Sequence, residues 1–293
     1  MTPDDVVDFA ATKTSRSPLA HQELPVSATP PTYAFDNDDP EAVGRHVHLA
    51  TLLDEFTIQR LSGLGDLTGR RCLEVGAGGG SVAAWLADAT GPTGRVLATD
   101  LNTRHLPPNP PYEVLRHDLE TEPVPEGPWD VIHARLVLLH LPGRRAILAR
   151  LAAALAPGGA LVVEDFEATF RKMVLAAPSP EAAELIDTYH TLLVEHVLPA
   201  HGNDPSWAAR VPALMLEEGL TDVDTVMHAR SWPGGTAGAL LIAANIAQAR
   251  KDFLAAGMTP QQLDEVDRLA ADPRLLVRSH FTYSTIGRRP AAK

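Results

Sequence analysis

Three glycines at alternate positions, Gly76, Gly78 and Gly80, follow Glu74 and precede Ser81. Glycine lets a chain turn tightly and brings its backbone close to a ligand, because no Cβ intervenes. A helix opening at Ser81 would leave its first N–H groups free to face that ligand. Asp100 follows Gly80 by 20 residues, and an acid at the end of the next strand can accept hydrogen bonds from two ribose hydroxyls. Turn and acid together describe a pocket for an adenosine-containing ligand. A dinucleotide fingerprint counted from Gly76 requires Gly or Ala where Ser81 stands, which disfavours an NAD-dependent oxidoreductase.

The second set of candidate groups is histidines and acids. His140, in Leu138-Leu139-His140-Leu141-Pro142, falls just past an apolar run over 129–134. A near-neutral imidazole there suits removal of a proton from a substrate hydroxyl, and His140 is the candidate catalytic residue. His133 lies mid-strand and reads as a core residue, while Glu164 and Asp165 end a later strand and point at the same cleft. His46 and His48 are two apart on a helix and so face different ways. His190, Glu195 and His196 have no spacing that makes a metal face, and no metal is expected. His201-Gly202-Asn203-Asp204 with Trp207 forms a polar loop that could line a substrate pocket.

Elements must hold these groups. Apolar positions from Val43 to Leu61 have helical spacing, stopped by Gly63 and Gly65. Short apolar runs at 71–75, 95–100, 112–116, 129–134 and 160–164 read as strands, with helices at 81–89 and 144–155 between them. Pro157-Gly158-Gly159 is a sharp turn into the last of these strands. This alternation means βαβ units and a parallel sheet. Residues 166–208 read as helical with proline breaks, 209–218 as a helix closed by Gly219, 223–229 and 281–286 as strands, and 235–256 and 260–271 as helices. The division is a mobile Ser/Thr/Ala/Pro-rich arm over 1–32, a helical cap over 33–63, and a nucleotide-binding core over 64–165. A helical insertion over 166–208 lines the substrate pocket, and 209–293 completes the sheet.

In Leu73-Glu74-Val75-Gly76-Ala77-Gly78-Gly79-Gly80 the chain resembles the class I S-adenosylmethionine-dependent methyltransferases, whose first motif is E/D-x-G-x-G-x-G. Leu155-Ala156-Pro157-Gly158-Gly159-Ala160-Leu161 resembles that family's L-x-P-G-G-x-L turn, and the likeness runs from about Tyr33 to Glu167. The resemblance implies an α/β, Rossmann-like fold: a seven-stranded, mostly parallel sheet with helices on both faces and a helical cap. It implies S-adenosylmethionine as cofactor, with Asp100 on the ribose and Asp118 on the adenine amino group. Leu119 lies beside the ring, and Leu101 is a further cofactor-binding position. Glu74, Gly76, Ala77 and Gly78 serve the loop and the methionine end, and Arg45 or Arg135 meets the methionine carboxylate with help from Tyr33. The Tyr33-Ala34-Phe35 segment, Glu41 with Arg45, and the terminal Gly287-Arg288-Arg289-Pro290 resemble small-molecule methyltransferases of bacterial secondary metabolism.

Composition bounds the partners. Lys plus Arg number 25 against 37 Asp plus Glu, a net charge of −12. No basic surplus is present to replace counterions on a phosphate backbone, so a nucleic-acid acceptor is not expected. No apolar run reaches membrane-spanning length, and Cys72 is the single cysteine, which excludes an intrachain disulfide. The expectation is a cytoplasmic monomer or homodimer that moves a methyl group to an O (or N) nucleophile of a small-molecule acceptor. Recruitment of the fold for a cyclisation, dehydration or pericyclic step, with the cofactor structural, is the alternative. A non-catalytic binding module would require a narrow or blocked cleft above His140.

Overall fold

The computed structural model describes residues 42–292. The arm assigned to 1–32, and Tyr33 with it, lies outside the described residues. Along the chain run α1 (Ala42–Ser62), β1 (Arg71–Val75), α2 (Ser81–Thr90), β2 (Arg95–Asp100), β3 (Glu113–Arg116), β4 (Trp129–Arg135), α3 (Arg144–Ala153) and β5 (Leu155–Glu167). There follow β6 (Val174–Ala176), α4 (Pro180–Leu192), a π-helical turn (Leu193–Val197) and α5 (Leu198–Ala200). The rest comprises α6 (Val211–Glu217), β7 (Thr221–His228), β8 (Ser231–Pro233), α7 (Ala237–Ala255), α8 (Pro260–Ala270), β9 (Leu276–Arg278) and β10 (Phe281–Arg288).

Seven strands form one sheet in the order β3-β2-β1-β4-β5-β10-β7. Every pairing is parallel except those of β10, which runs antiparallel to both β5 and β7. The chain leaves β1 in opposite directions toward β2 and β4, so the carboxyl end of β1 is the switch point where open α/β sheets bind ligands. Val75 there continues directly into the glycine turn.

The central strands β1, β2, β4 and β5 are largely buried on both faces, whereas β3 and β7 at the edges are exposed. On one face Leu73, Val75, Ile132, Ala134, Leu161 and Val163 pack against Ile147 and Leu151 of α3 and Leu214 and Met215 of α6. On the other, Cys72, Val96, Ala98, Val131 and Val162 pack against Val82 and Leu86 of α2 and Leu61 of α1. Each such side chain contributes roughly 1.5–3 kcal/mol on burial. Leu49, Leu52 and Leu53 of α1 also meet Phe166 and Leu241, so α1 lies between the sheet and α7.

Three local expectations change. The strand expected at 160–164 spans Leu155–Glu167, and Pro157-Gly158-Gly159 is a bulge inside it: Trp129 pairs with Leu155 but Val131 pairs with Ala160. Gly158 supplies the left-handed φ of 77° that this bulge needs. The third strand opens at Glu113 because Tyr112 is buried against the glycine turn. The stretch 166–208 is not all helical, since β6 joins β9 and β8 in a second, antiparallel three-stranded sheet. These three-residue strands are too short to show a period of two, and their partners lie far away in sequence.

The core of the helical insertion draws on both sides of residue 208. Ile186, Tyr189, Leu193 and Val197 share one cluster with Ile246, Phe253, Leu263 and Val266. No described helix is long and apolar enough to cross a membrane.

Candidate active site

Gly76, Gly78 and Gly80 all take left-handed φ angles, of 65°, 54° and 80°. A Cβ on Gly76 would lie 2.4 Å from Val137 Cγ2, and one on Gly80 would lie 2.2 Å from the Tyr112 hydroxyl and 2.9 Å from Leu106 Cδ2. Conformation favours glycine at all three positions, and space demands it at 76 and 80. Gly80→Ala is expected to cost about 1–3 kcal/mol of stability, from the left-handed strain and the displaced Tyr112. An unchanged urea midpoint in the variant would overturn both arguments.

Asp100 braces this turn. Its Oδ2 accepts the Gly78 N–H at 2.8 Å and its Oδ1 accepts the Asn102 N–H at 2.9 Å. The Ala77 N–H donates to the Thr99 carbonyl at 2.9 Å, which ties the loop to the end of β2. Beside Asp100, Leu101 is 57% exposed, an apolar side chain without a core to fill.

The His117 N–H donates to the Asp100 carbonyl at 3.0 Å, bringing Asp118 to the same sheet edge. Asp118 caps its own turn, accepting the Glu120 N–H at 3.0 Å and the Thr121 hydroxyl at 2.9 Å. The Leu119 side chain is buried in the cluster that holds Val75 and Leu97. The exposed apolar position belongs to Leu101.

The Glu74 carboxylate accepts from His133 Nδ1 at 2.7 Å, and both side chains are buried. On its other side, His133 Nε2 lies 3.5 Å from Glu164 Oε2, which accepts the Thr57 hydroxyl of α1 at 2.5 Å. Register explains the grouping: Glu74 pairs with His133 across β1 and β4, and Arg135 with Glu164 across β4 and β5. Burial by itself lowers the His133 pKa. The Glu74 charge and the Glu164 and Glu74 hydrogen bonds outweigh it and hold the pKa up at about 9. Burial pushes the Glu164 carboxyl up, but His133 and Thr57 bring it below its ordinary value. Sequence reading placed His133 in the core but missed its two acids, because only strand register joins positions 74, 133 and 164.

Arg135 extends this network to α1. It pairs with Asp54 at 2.9 Å and donates to Thr57 Oγ1 at 3.0 Å, while Asp54 accepts the Ser81 hydroxyl at 3.1 Å. His46, Asp54 and Thr57 lie on the helix face turned to the sheet, and His46 covers Gly78 and Gly79. The His46 ring meets His105 edge-on at 5.1 Å. Its pKa is pushed down to about 4 by burial, then by His105 and Arg45. Arg45, buried, donates from Nε to Asn245 Oδ1 of α7 at 3.4 Å.

His140 sits in a 3-10 turn, Leu138–His140, beyond β4. Asn203 Nδ2 donates to the Leu198 carbonyl at 3.1 Å, which orients the amide so that its Oδ1 accepts from His140 Nδ1. The proton is therefore on Nδ1, and Nε2 is the acceptor atom of the ring. The near-neutral imidazole expected from the sequence is not what the fold supplies. Burial, followed by the charges of Arg45 and Arg144, takes the pKa down to about 3 against the Asn203 bond. Burial also raises the Asp165 carboxyl to about 8, although that group accepts the Val137 N–H at 3.1 Å. The polar loop at 201–204 is placed beside His140, with the Asp204 N–H donating to the Leu139 carbonyl at 2.8 Å.

A glycine turn and an acid on adjacent strand ends at a switch point also occur in unrelated nucleotide-binding proteins. A family model decides between them: a methyltransferase domain matches residues 46–210, more than half of the chain. The chain belongs to the methyltransferase-domain family. Its sheet order with one reversed strand is the Rossmann-like class I methyltransferase fold. Methyltransferase str2 of Strobilurus tenacellus is 42% identical over 103 residues, covering 33% of this chain and 36% of that protein. Methyltransferase GfsG of Streptomyces halstedii is 27% identical over 191 residues, covering 60% of this chain and 63% of that protein. The chain thus spans about a third of the first of these relatives and under two thirds of the second. A solved S-adenosylmethionine-dependent methyltransferase from Mesorhizobium loti aligns with 78% of this chain and 95% of its own at 16% identity and a TM-score of 0.41.

Methyltransferases of this family use S-adenosylmethionine, and the residues here fit it. Backbone without Cβ lines the turn, a braced carboxylate stands at its edge, and an unburied leucine lies beside that carboxylate. Among the described residues no group of three or more His, Cys, Asp or Glu is arranged to hold a metal ion.

Proposed function

We propose that the protein transfers a methyl group from S-adenosylmethionine to an oxygen (or nitrogen) nucleophile of a small-molecule acceptor, in cytoplasmic secondary metabolism. The observation that carries this reading is the left-handed glycine turn braced by Asp100 at the switch point of the sheet. The relatives str2 and GfsG are named methyltransferases of a fungus and a Streptomyces, which supports the small-molecule reading. The net charge of −12 argues against a nucleic-acid acceptor.

When bound, S-adenosylmethionine supplies a methyl group already activated by a positively charged sulfur. The protein's task is then mainly alignment and exclusion of water. Asp100 keeps acceptor capacity for the ribose hydroxyls while bracing Gly78, since each carboxylate oxygen has two lone pairs. Leu101 offers an apolar face to the adenine, and Asp118 stands at the adjoining strand end. Gly76, Ala77 and Gly78 leave room for the methionine chain. Arg45, bound to Asn245, and Arg135, bound to Asp54 and Thr57, are the two candidates for its carboxylate. Glu74 acts from beneath, through His133.

His140, held at Nδ1 by Asn203, is the residue assigned to meet the acceptor's nucleophile. With a pKa near 3 it orients a hydroxyl rather than storing its proton. His140→Ala is expected to lower kcat by about 10- to 100-fold, at the weak end of acid–base contributions, with cofactor affinity unchanged. Because His140 stays neutral throughout, the kcat/KM profile should show no break near pH 6.5 that depends on it. A limb at pH 6–7 present in the parent and lost in the variant would contradict this role.

The reading as a whole is tested by calorimetry and mass spectrometry. S-adenosylhomocysteine is expected to bind at concentrations of about 100 μM or below, in the range usual for metabolites. Acceptor turnover should add about 14 Da, the mass of one methyl replacing one hydrogen. Absence of binding overturns the cofactor assignment. Cofactor binding with a mass-neutral product replaces methyl transfer by a recruited fold in which the cofactor is structural.

A further inference from the structure

The chain leaves β4 through a strained turn. Leu136 takes a left-handed φ of 54°, a conformation that costs a leucine free energy and persists only where its surroundings impose it. The end of β5 imposes it here. The Leu136 N–H donates to the Glu164 carbonyl at 2.7 Å, and the next N–H, of Val137, donates to Asp165 Oδ1 at 3.1 Å. Consecutive residues of β5 thus hold consecutive N–H groups of the turn.

Asp165 is a costly residue for this task. It is 1% exposed, and burial raises its carboxyl to about 8 against the Val137 and Leu139 N–H groups, the Trp207 indole and the Arg144 charge. An apolar side chain of the same volume would fill the space without that desolvation. Strain at Leu136 and a buried acid at 165 both lower stability, and both fall on the turn that joins two parts of the site.

One part is the glycine turn. Val137 covers Gly76 so closely that a Cβ there would lie 2.4 Å from Val137 Cγ2. The other is His140, which ends the 3-10 turn and whose N–H donates to the Val137 carbonyl at 3.0 Å. The rest of the turn is tied elsewhere. The Asp204 N–H donates to the Leu139 carbonyl at 2.8 Å, and Arg144 Nε of α3 donates to the Leu138 carbonyl at 3.2 Å. At Val137, between Gly76 and His140, the side chain that takes the N–H is Asp165.

We infer that Asp165 is a positioning residue that holds the turn 136–140, so that one carboxyl sets both the contact of Val137 on the glycine turn and the seat of His140. Asp165 acts through Val137 and His140, not on a ligand. The value of this hold to catalysis rests on the methyl-transfer reading, whereas the hold itself is a property of the free protein.

The test compares Asp165→Asn, which keeps an accepting oxygen for the Val137 N–H, with Asp165→Leu, which keeps the volume and removes the acceptor. The readout is the His140 imidazole in full-length protein labelled with 15N-histidine, its signals identified by their loss in His140→Gln. A ring held at Nδ1 shows the well-separated nitrogen shifts of one tautomer, whereas a released ring averages them. The parent and Asp165→Asn are expected to show one tautomer, and Asp165→Leu averaged shifts. S-adenosylhomocysteine, titrated into the same samples, should bind Asp165→Leu about fivefold or more weakly than the parent, the lower end of couplings between sites. An acid with a purely structural role would change the melting temperature and move neither readout.

Averaged shifts in the parent overturn the inference. So does one tautomer kept in Asp165→Leu, its loss in Asp165→Asn, or an affinity for S-adenosylhomocysteine that Asp165→Leu leaves unchanged. Should Asp165→Leu not fold, Asp165→Val, a smaller apolar residue suited to a strand, decides by the same criteria. If S-adenosylhomocysteine binds neither parent nor variants, the cofactor reading falls, and the His140 shifts still decide the hold on the turn.

Discussion

Replacing His133 with alanine is expected to lower the unfolding free energy by about 3–5 kcal/mol, the usual consequence of removing one partner from a buried charged group. Glu74 is 3% exposed and Glu164 0%, and His133 lies between their carboxylates. Without the imidazolium, two buried carboxylates face each other across the central strands. Replacing Glu74, His133 and Glu164 together by leucine should cost much less than His133→Ala, because apolar substitution of a whole buried network is often neutral or better. Guanidinium denaturation of the three proteins checks this, and a His133→Ala loss below about 1 kcal/mol, the scale of exposed pairs, would mean that the network carries little.

The same network sets a pH dependence. The His133 pKa is raised from 6.5 to about 9 in the folded state, so its contribution is complete below pH 6.5 and is lost as pH rises through 9. Glu164 is shifted the other way, and its contribution is present above its unfolded pKa and lost as pH falls through the lower folded value. The protein should therefore melt at lower temperature at pH 9.5 than at pH 6.5, and the triple-leucine variant should lack that particular loss. An identical fall in the variant would assign the alkaline limb to other groups. The stability lost would also loosen α1, since Thr57 is bound to Glu164.

Asp100→Ala is expected to weaken S-adenosylhomocysteine binding by roughly 10- to 150-fold, or about 1.5–3 kcal/mol, the range of hydrogen bonds to a charged acceptor. Two effects combine. The ligand loses its hydroxyl acceptor, and the turn loses the brace on Gly78 N–H at 2.8 Å. Asp100→Asn separates them, since an amide retains one accepting oxygen but turns its NH2 toward either the Gly78 or the Asn102 N–H. Calorimetric affinities within threefold of the parent for Asp100→Ala would remove Asp100 from the binding site.

Much of the molecule was legible before any coordinates. Glu74, the alternating glycines, Asp100 and the Pro157-Gly158-Gly159 turn identified the fold, because each depends on local backbone conformation and its place in a short βα unit. The left-handed φ angles at 76, 78, 80 and 158 fall on glycine, the residue that adopts them without strain. The five parallel strands and the closing pair were likewise visible, as apolar runs of the right length.

What the sequence could not decide involves partners distant along the chain. The pairing of Glu74 with His133 and Glu164 arises from the register of three strands, and a shift of one residue would turn His133 to the opposite face. The commitment of Arg135 to Asp54 depends on how α1 lies over the sheet, and the burial of Leu119 on which face its strand end presents. The second sheet needed β6, β8 and β9 to meet from positions 174, 231 and 276. The low pKa of His140 follows from burial, and burial is a property of the packed molecule that residue type alone does not carry.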